Sequence, residues 1–150
     1  MVNRKQHPKS FLTEEEKERI VLAIRKAEEK TSGEIRVYLG HEAKGDVINH
    51  AKKVFKKLGM AKTKHRNGIL IFLALKNKRF AILGDKGIHE KVSADFWNQI
   101  ASRLTKHFKE DRFADGIVEA ILLAGDKLKA HFPHERHDKN ELPNEIGRNL

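Results

Sequence analysis

Cysteine is absent from the chain, proline occurs only three times, and tryptophan and tyrosine occur once each. Without cysteine there is no disulfide scaffold, no thiolate metal site and no cysteine nucleophile, a pattern that fits a reducing compartment. Long apolar runs are missing as well. The strongest, Ile69 to Leu75, has seven residues, far short of a membrane span. The start, Met1-Val2-Asn3-Arg4-Lys5-Gln6-His7-Pro8, is basic but has no apolar run behind it. A secretory signal is therefore not expected, and the expected location is the cytoplasm. The sequence also lacks a G-x-S-x-G elbow, an H-E-x-x-H helix and RNP, zinc-finger or G-K-[ST] phosphate-loop motifs, so serine hydrolases and zincins find no support.

What the chain does have is charge. Of its 150 residues 35% are charged and 39% hydrophobic, and the net charge is +10. That length predicts one domain, able to bury about 70% of its unfolded surface. A balance this basic favours contact with anions: nucleic acid, phosphate or a membrane surface.

Residues 1–10 read as a loose basic arm, residues 11–132 as the domain and residues 133–150 as a polar, disordered tail. Thr13 followed by Glu16 makes a capping box, and it opens a helix expected to run to about Thr31, where Gly33 ends it. Glu34 to Leu39 alternates polar and apolar residues, which predicts a strand. Asp46 caps a second helix, with Val47, Ile48, Ala51, Val54, Phe55 and Leu58 expected as its buried stripe. Ile69 to Leu75 is apolar on both faces and belongs in the middle of a covered sheet. Arg79 to Leu83 returns as its hairpin partner. Residues 84–94 read as irregular, and two further helices are expected over about 93–109 and 113–130. The order α-β-α-β-β-α-α predicts an α/β fold: a three-layer α/β/α sandwich around a small mixed sheet, made of a parallel β-α-β crossover and a hairpin.

This topology places the starts of the first two strands and the end of the third along one sheet edge. That edge collects Ser32, Gly33 and Glu34, then Lys64, His65, Arg66 and Asn67, then the segment from Gly84 to Glu90. Asp85, Glu90 and Asp95 lie within eleven residues, and Glu34 can approach them. Calcium and magnesium take oxygen-rich clusters of this kind, so these four are candidate metal ligands, with Asp111 and Asp115 as weaker ones. Each also has an ordinary role open to it, as a turn residue, a helix cap or a solvated charge. Lys64, Arg66, Lys86 and His89 on the same edge are candidate anion-binding residues.

Two other constellations stand out. From Lys44 to Arg66 there are eight Lys or Arg residues against one acid, Asp46, a local balance of +7. This basic helix face could meet nucleic acid or an anionic membrane. The scarcity of aromatics and the single arginine make nucleic acid the less expected partner. His131, His134 and His137 recur at intervals of three and could collect zinc or nickel.

Several segments together resemble the TPM domain family, named for its thylakoid, photosystem-repair and membrane-protein members. They are Leu12-Thr13-Glu14-Glu15-Glu16, Ser32-Gly33-Glu34-Ile35-Arg36-Val37, Ala51 with Val54-Phe55-Lys56-Lys57-Leu58-Gly59-Met60, and Arg66-Asn67-Gly68-Ile69-Leu70-Ile71. Gly84-Asp85-Lys86-Gly87-Ile88 and Phe108-Lys109-Glu110-Asp111-Arg112-Phe113-Ala114-Asp115-Gly116-Ile117 complete the set. The resemblance spans about residues 10–132. It implies an α/β/α sandwich and a divalent-cation site, usually for calcium, in loops at one sheet edge. Some plant relatives are associated with acid phosphatase activity. Many relatives read Gly-aromatic-Gly after the third strand; here the two glycines, Gly84 and Gly87, stand one residue further apart.

The chain is thus expected to be a stand-alone, monomeric, cytoplasmic domain that binds Ca2+ or Mg2+ and acts as a non-catalytic metal-binding or interaction module, with a protein partner possible. A metal-assisted phosphatase is the first alternative, the cation polarising a phosphoryl oxygen beside Lys86 or Arg66. Anion or nucleic-acid binding through the second helix is the other.

Overall fold

The structure is a computed structural model that describes residue 8, residues 10–134 and the backbone of residues 147–148. Its elements are α1 (Glu14–Glu28), β1 (Glu34–Gly40), α2 (Val47–Lys57), a 3-10 turn at Met60–Lys62, β2 (Gly68–Ala74), β3 (Arg79–Gly84), α3 (Lys86–His89), α4 (Ala94–Lys109), α5 (Phe113–His131) and β4 (Gly147–Arg148). The sheet order is β3-β2-β1-β4. β1 and β2 are parallel, joined through α2, and β2 and β3 form an antiparallel hairpin. β2 holds six of the seven residues of the apolar run, Ile69 to Ala74, one residue offset from the expected strand, and is buried along its whole length between β1 and β3, because both of its faces meet helices.

Alternation along the strands sorts the core into two clusters. Ile35, Val37 and Leu39 of β1 and Ile69, Ile71 and Leu73 of β2 face α1, α4 and α5. Leu70, Phe72, Ala74 and Ala81 face α2, with Ala51, Val54 and Met60 on that side. The fold is therefore the three-layer α/β/α sandwich that the element order implies. On the first layer α1 and α5 run side by side. Arg19 pairs with Asp115 at 2.6 Å, and Ala27 touches Gly125 so closely that a Cβ at residue 125 would come within 2.7 Å of Ala27 Cβ.

Local chemistry sets the boundaries. Thr13 and Glu16 form the expected capping box, with bonds of 3.1 and 2.9 Å. α1 stops at Glu28, three residues earlier than expected, because the chain must turn before β1. In that turn Thr31 bonds back to Phe132 through its hydroxyl and bridges to Pro133. The segment expected to be irregular after β3 holds the short helix α3, which Asp85 caps. Within the segment read as a tail, Gly147–Arg148 pairs in parallel with Tyr38–Leu39 of β1. His137 lies outside the described residues; His131 and His134 are exposed.

Among the described residues no helix is long and apolar enough to cross a membrane.

Candidate functional site

Strand register defines the site. Glu34 stands opposite Gly68, and Ile69 opposite Gly84, so the starts of β1 and β2 and the end of β3 share one edge. Asp85 follows β3 directly, its N–H donating to Gly68 O at 2.8 Å. The Arg66 guanidinium grips its carboxylate with two bonds, Nε to Oδ2 at 2.7 Å and Nη2 to Oδ1 at 2.9 Å. A paired fork of this kind is among the stronger side-chain contacts, and it raises the Arg66 pKa above its ordinary value. Asp85 Oδ1 also accepts from Lys86 N at 2.7 Å, capping α3. Asp85 is buried while Arg66 is 48% exposed, so the arginine closes over the carboxylate from the solvent side.

Gly87 completes the joint. Its N–H donates to Arg66 O at 2.7 Å, and a Cβ there would lie 2.1 Å from His65 O. No larger residue fits, which explains the second glycine. Arg66 adopts a left-handed φ of 51°, turning the loop so that its carbonyl meets α3 and its side chain meets Asp85.

A second pair of side chains lies at the start of β1. β4 pairs only with Tyr38 and Leu39, so the first half of that side of β1 has no strand neighbour among the described residues. Glu28, at the last turn of α1, fills the role: its Oε2 accepts from Ile35 N at 2.8 Å. Glu28 sits one turn beyond the buried Ile24, which turns it toward the sheet. The bond from Ile35 N seats its carboxyl beside Glu34, itself buried. Burial foremost, then the neighbouring Glu34 charge, pushes the Glu28 pKa up to about 8, against the opposing pull of the Ile35 N–H. Ser32 and the buried Asn67 stand at the same edge, Asn67 Nδ2 lying 3.3 Å from Ser32 Oγ.

The remaining expected ligands lie elsewhere. Glu90, just past the end of α3, and Asp95, in the first turn of α4, are exposed. Asp115 pairs with Arg19, whose hydrogen bond holds its carboxyl below the usual range. That pair lies nine residues along α1 from Glu28, about 14 Å. Asp111 occupies the α4–α5 junction with a left-handed φ of 59°. The expected gathering of Asp85, Glu90, Asp95, Glu34, Asp111 and Asp115 is therefore not formed, because Arg66 and Arg19 take two of them and solvent two more. Among the described residues no three His, Asp or Glu side chains group in a way that could hold a metal ion. Of the expected anion-binding residues, Lys64, Lys86 and His89 are exposed. His89 stacks on Trp97 with ring centroids 6.3 Å apart.

Glu28 was not singled out from sequence. The usable signal was two glutamates flanking a Thr-Ser-Gly turn between a helix and a strand. A cleft of about 480 Å3 lies between α4 and α5, and no sequence pattern marks it. It is lined by Arg103, Lys106, His107, Glu110, Arg112 and Glu119. Glu119 is held there by Arg103 at 3.1 Å and His107 at 2.5 Å, so much of its charge is balanced within the protein.

A family model described as the TPM domain matches residues 6–127. The chain is similar to the BA42 protein of the psychrophilic bacterium Bizionia argentinensis, solved by NMR: 46% identity, TM-score 0.87, covering 93% of this chain and 96% of that one. It also shares its fold with the N-terminal domain of a protein from P. gingivalis, at 22% identity and TM-score 0.67, covering 84% of this chain and 83% of that one. No curated protein matches.

Proposed function

The chain belongs to the TPM domain family, and on that premise we propose that it is a non-catalytic binding module whose sheet edge takes up a divalent cation between Glu28 and Glu34. The observation that carries this reading is the bond of 2.8 Å from Ile35 N to Glu28 Oε2, which seats the Glu28 carboxyl beside the buried Glu34 where α1 ends and β1 begins. Carboxyl groups brought together under burial repel once both ionise. A proton relieves that repulsion, and so does a hard cation. Two carboxylates leave most of a coordination shell to water. That suits magnesium, which keeps several of its waters, better than calcium, which takes six to eight oxygens. The pair is thus a place for magnesium first and calcium second.

The same geometry gives Asp85 another task. Both its oxygens are engaged by Arg66 and one also by the Lys86 N–H, so it positions the loop beside the cation rather than holding it. Arg66, the guanidinium at this edge, is committed to Asp85, which favours binding over phosphoryl chemistry. When bound, the cation supplies positive charge that ties the end of α1 to the start of β1.

Thermal melts of chelator-stripped protein with magnesium and with calcium test the proposal. A cation at about 100 times its dissociation constant adds about 2.7 kcal/mol, a rise of several degrees. Glu28→Gln keeps the acceptor for Ile35 N, so it should fold and lose the rise. No rise with either cation overturns the reading. A rise that survives Glu28→Gln and Glu34→Gln but disappears in Asp85→Asn or Asp95→Asn moves the site to the loop after β3.

A further inference from the structure

α2 is the only helix on its side of the sheet among the described residues, and its two faces differ sharply. Ala51 and Val54 are buried inward. Lys52, Lys53, Lys56 and Lys57 are exposed outward, and Lys62 stands exposed just past the helix end. None of these five lysines forms an ion pair among the described residues. The nearest acid in sequence, Asp46, caps the helix through Ile48 N at 3.2 Å. Elsewhere charges alternate. α1 mixes Glu14, Glu15, Glu16, Glu18, Glu28 and, at its end, Glu29 with Lys17, Arg19, Arg25 and Lys26, and α1 and α4 each send an arginine to an acid of α5. Unmixed positive charge on α2 is therefore a local feature, not a general property of the surface.

We infer that the outward face of α2 is a docking surface for an anionic lipid bilayer. Charge complementarity argues for a polyanion, and the kind of side chain argues for a bilayer. Lysine meets phosphate as a point charge and lacks the fork that reads base edges. Of the two rings of α2, Phe55 packs against the core cluster beneath the helix and His50 stacks on Phe72, so the outward face presents no aromatic platform for bases. Ile48 is 47% exposed and lies on the same helical stripe as Lys52 and Lys56, at spacings of four. An apolar side chain in line with lysines suits the boundary between headgroups and acyl chains. Because the inward face of α2 is fixed to the sheet, the helix would lie flat, offering to a plane the lysines of its second half, spread over about 8 Å of its length. Clusters of four or more lysines on a helix recognise anionic headgroups in this way.

Co-sedimentation with phosphatidylserine–phosphatidylcholine vesicles and with phosphatidylcholine vesicles, in chelator, tests this independently of the cation site. The protein should bind the first and not the second, and binding should weaken as salt rises. Replacing Lys52, Lys53, Lys56 and Lys57 by Gln should weaken it about fivefold per lysine, several hundredfold in all. The same four changed to Arg should keep binding. A charge-matched variant with Lys26, Lys106, Lys109 and Lys129 changed to Gln should also bind, and thermal melts should show all variants folded. Ile48→Ser should weaken vesicle binding several-fold at unchanged charge. Vesicle binding that is absent at low salt, or equal in the α2 and charge-matched variants, overturns the inference. Tighter binding to duplex DNA than to vesicles, unaffected by Ile48→Ser, overturns it in favour of nucleic acid.

Discussion

The two covers of the sheet differ in what they are built from. Three helices, α1, α4 and α5, lie on one face over a large continuous apolar cluster, and their charges are cross-linked by Arg19–Asp115, Arg103–Glu119 and His107–Glu119. Among the described residues one helix lies on the other face over a smaller cluster, and its outward lysines form no ion pair. The first cover carries most of the apolar burial that stabilises the domain. The second keeps its surface free of internal partners, so its charge is available to something outside.

The largest expected effects test that division of labour. Ile24→Ala, in the three-helix cover, should cost about 4 kcal/mol by urea unfolding, while Val54→Ala, under α2, should cost roughly 1–2 kcal/mol. Equal losses would break the comparison. Next comes the joint between the covers. Ile88 of α3 belongs to the first cluster and Met60 to the second, and Asp85–Arg66 ties their segments together. Asp85→Ala removes a cap and a charged hydrogen-bond pair, so about 2–3 kcal/mol should be lost. Hydrogen exchange should show α3 and residues 60–67 deprotected together.

A smaller and pH-dependent effect belongs to Glu28. Its folded pKa is raised from 4.5 to about 8, chiefly by burial. Between those values the folded chain holds a proton that the unfolded chain has released. The stabilisation contributed by Glu28 should therefore be full below pH 4.5 and fall as pH rises toward 8, with a slope of at most about 1.4 kcal/mol per pH unit. Urea titrations should show Glu28→Gln flattening this slope. The smallest effect carries the opposite sign. Lys52 and Lys56, and Lys53 and Lys57, are like charges four apart on a helix, a spacing that destabilises by a few tenths of a kcal/mol per pair. Changing all four to Gln should leave the melting point unchanged or slightly raised. A marked fall would mean that the lysines support the fold.

Much of this architecture was legible in the sequence because it rests on local pattern. The all-apolar run from Ile69 to Leu75 announces a central strand, and the Thr13–Glu16 spacing announces a helix start. The sheet edge was legible too, since parallel and antiparallel order alone decides which strand ends share it. What was not legible is pairing between side chains distant in sequence. Asp85 reads as a possible ligand until Arg66, nineteen residues earlier, is seen gripping both its oxygens. Glu28 reads as one more solvated glutamate on a charged helix, because only the turn at Thr31–Gly33 swings Glu34 back against it. Gly87 reads as a flexible loop residue, whereas the structure uses its missing Cβ to admit the His65 carbonyl.

The side-by-side placement of α1 and α5 has a consequence in time. Arg19 meets Asp115 across 96 residues, and Thr31 meets Phe132 across 101. During synthesis α1 leaves the ribosome first, with Ile20 and Ile24 ready for burial and their helical neighbour not yet made. The nascent chain must carry that apolar stripe uncovered until the last helix emerges, and contacts this distant form slowly. Whatever shields α1 in the interval, the first turns of α5, which begin beside Arg19 at Asp115, are what end the wait.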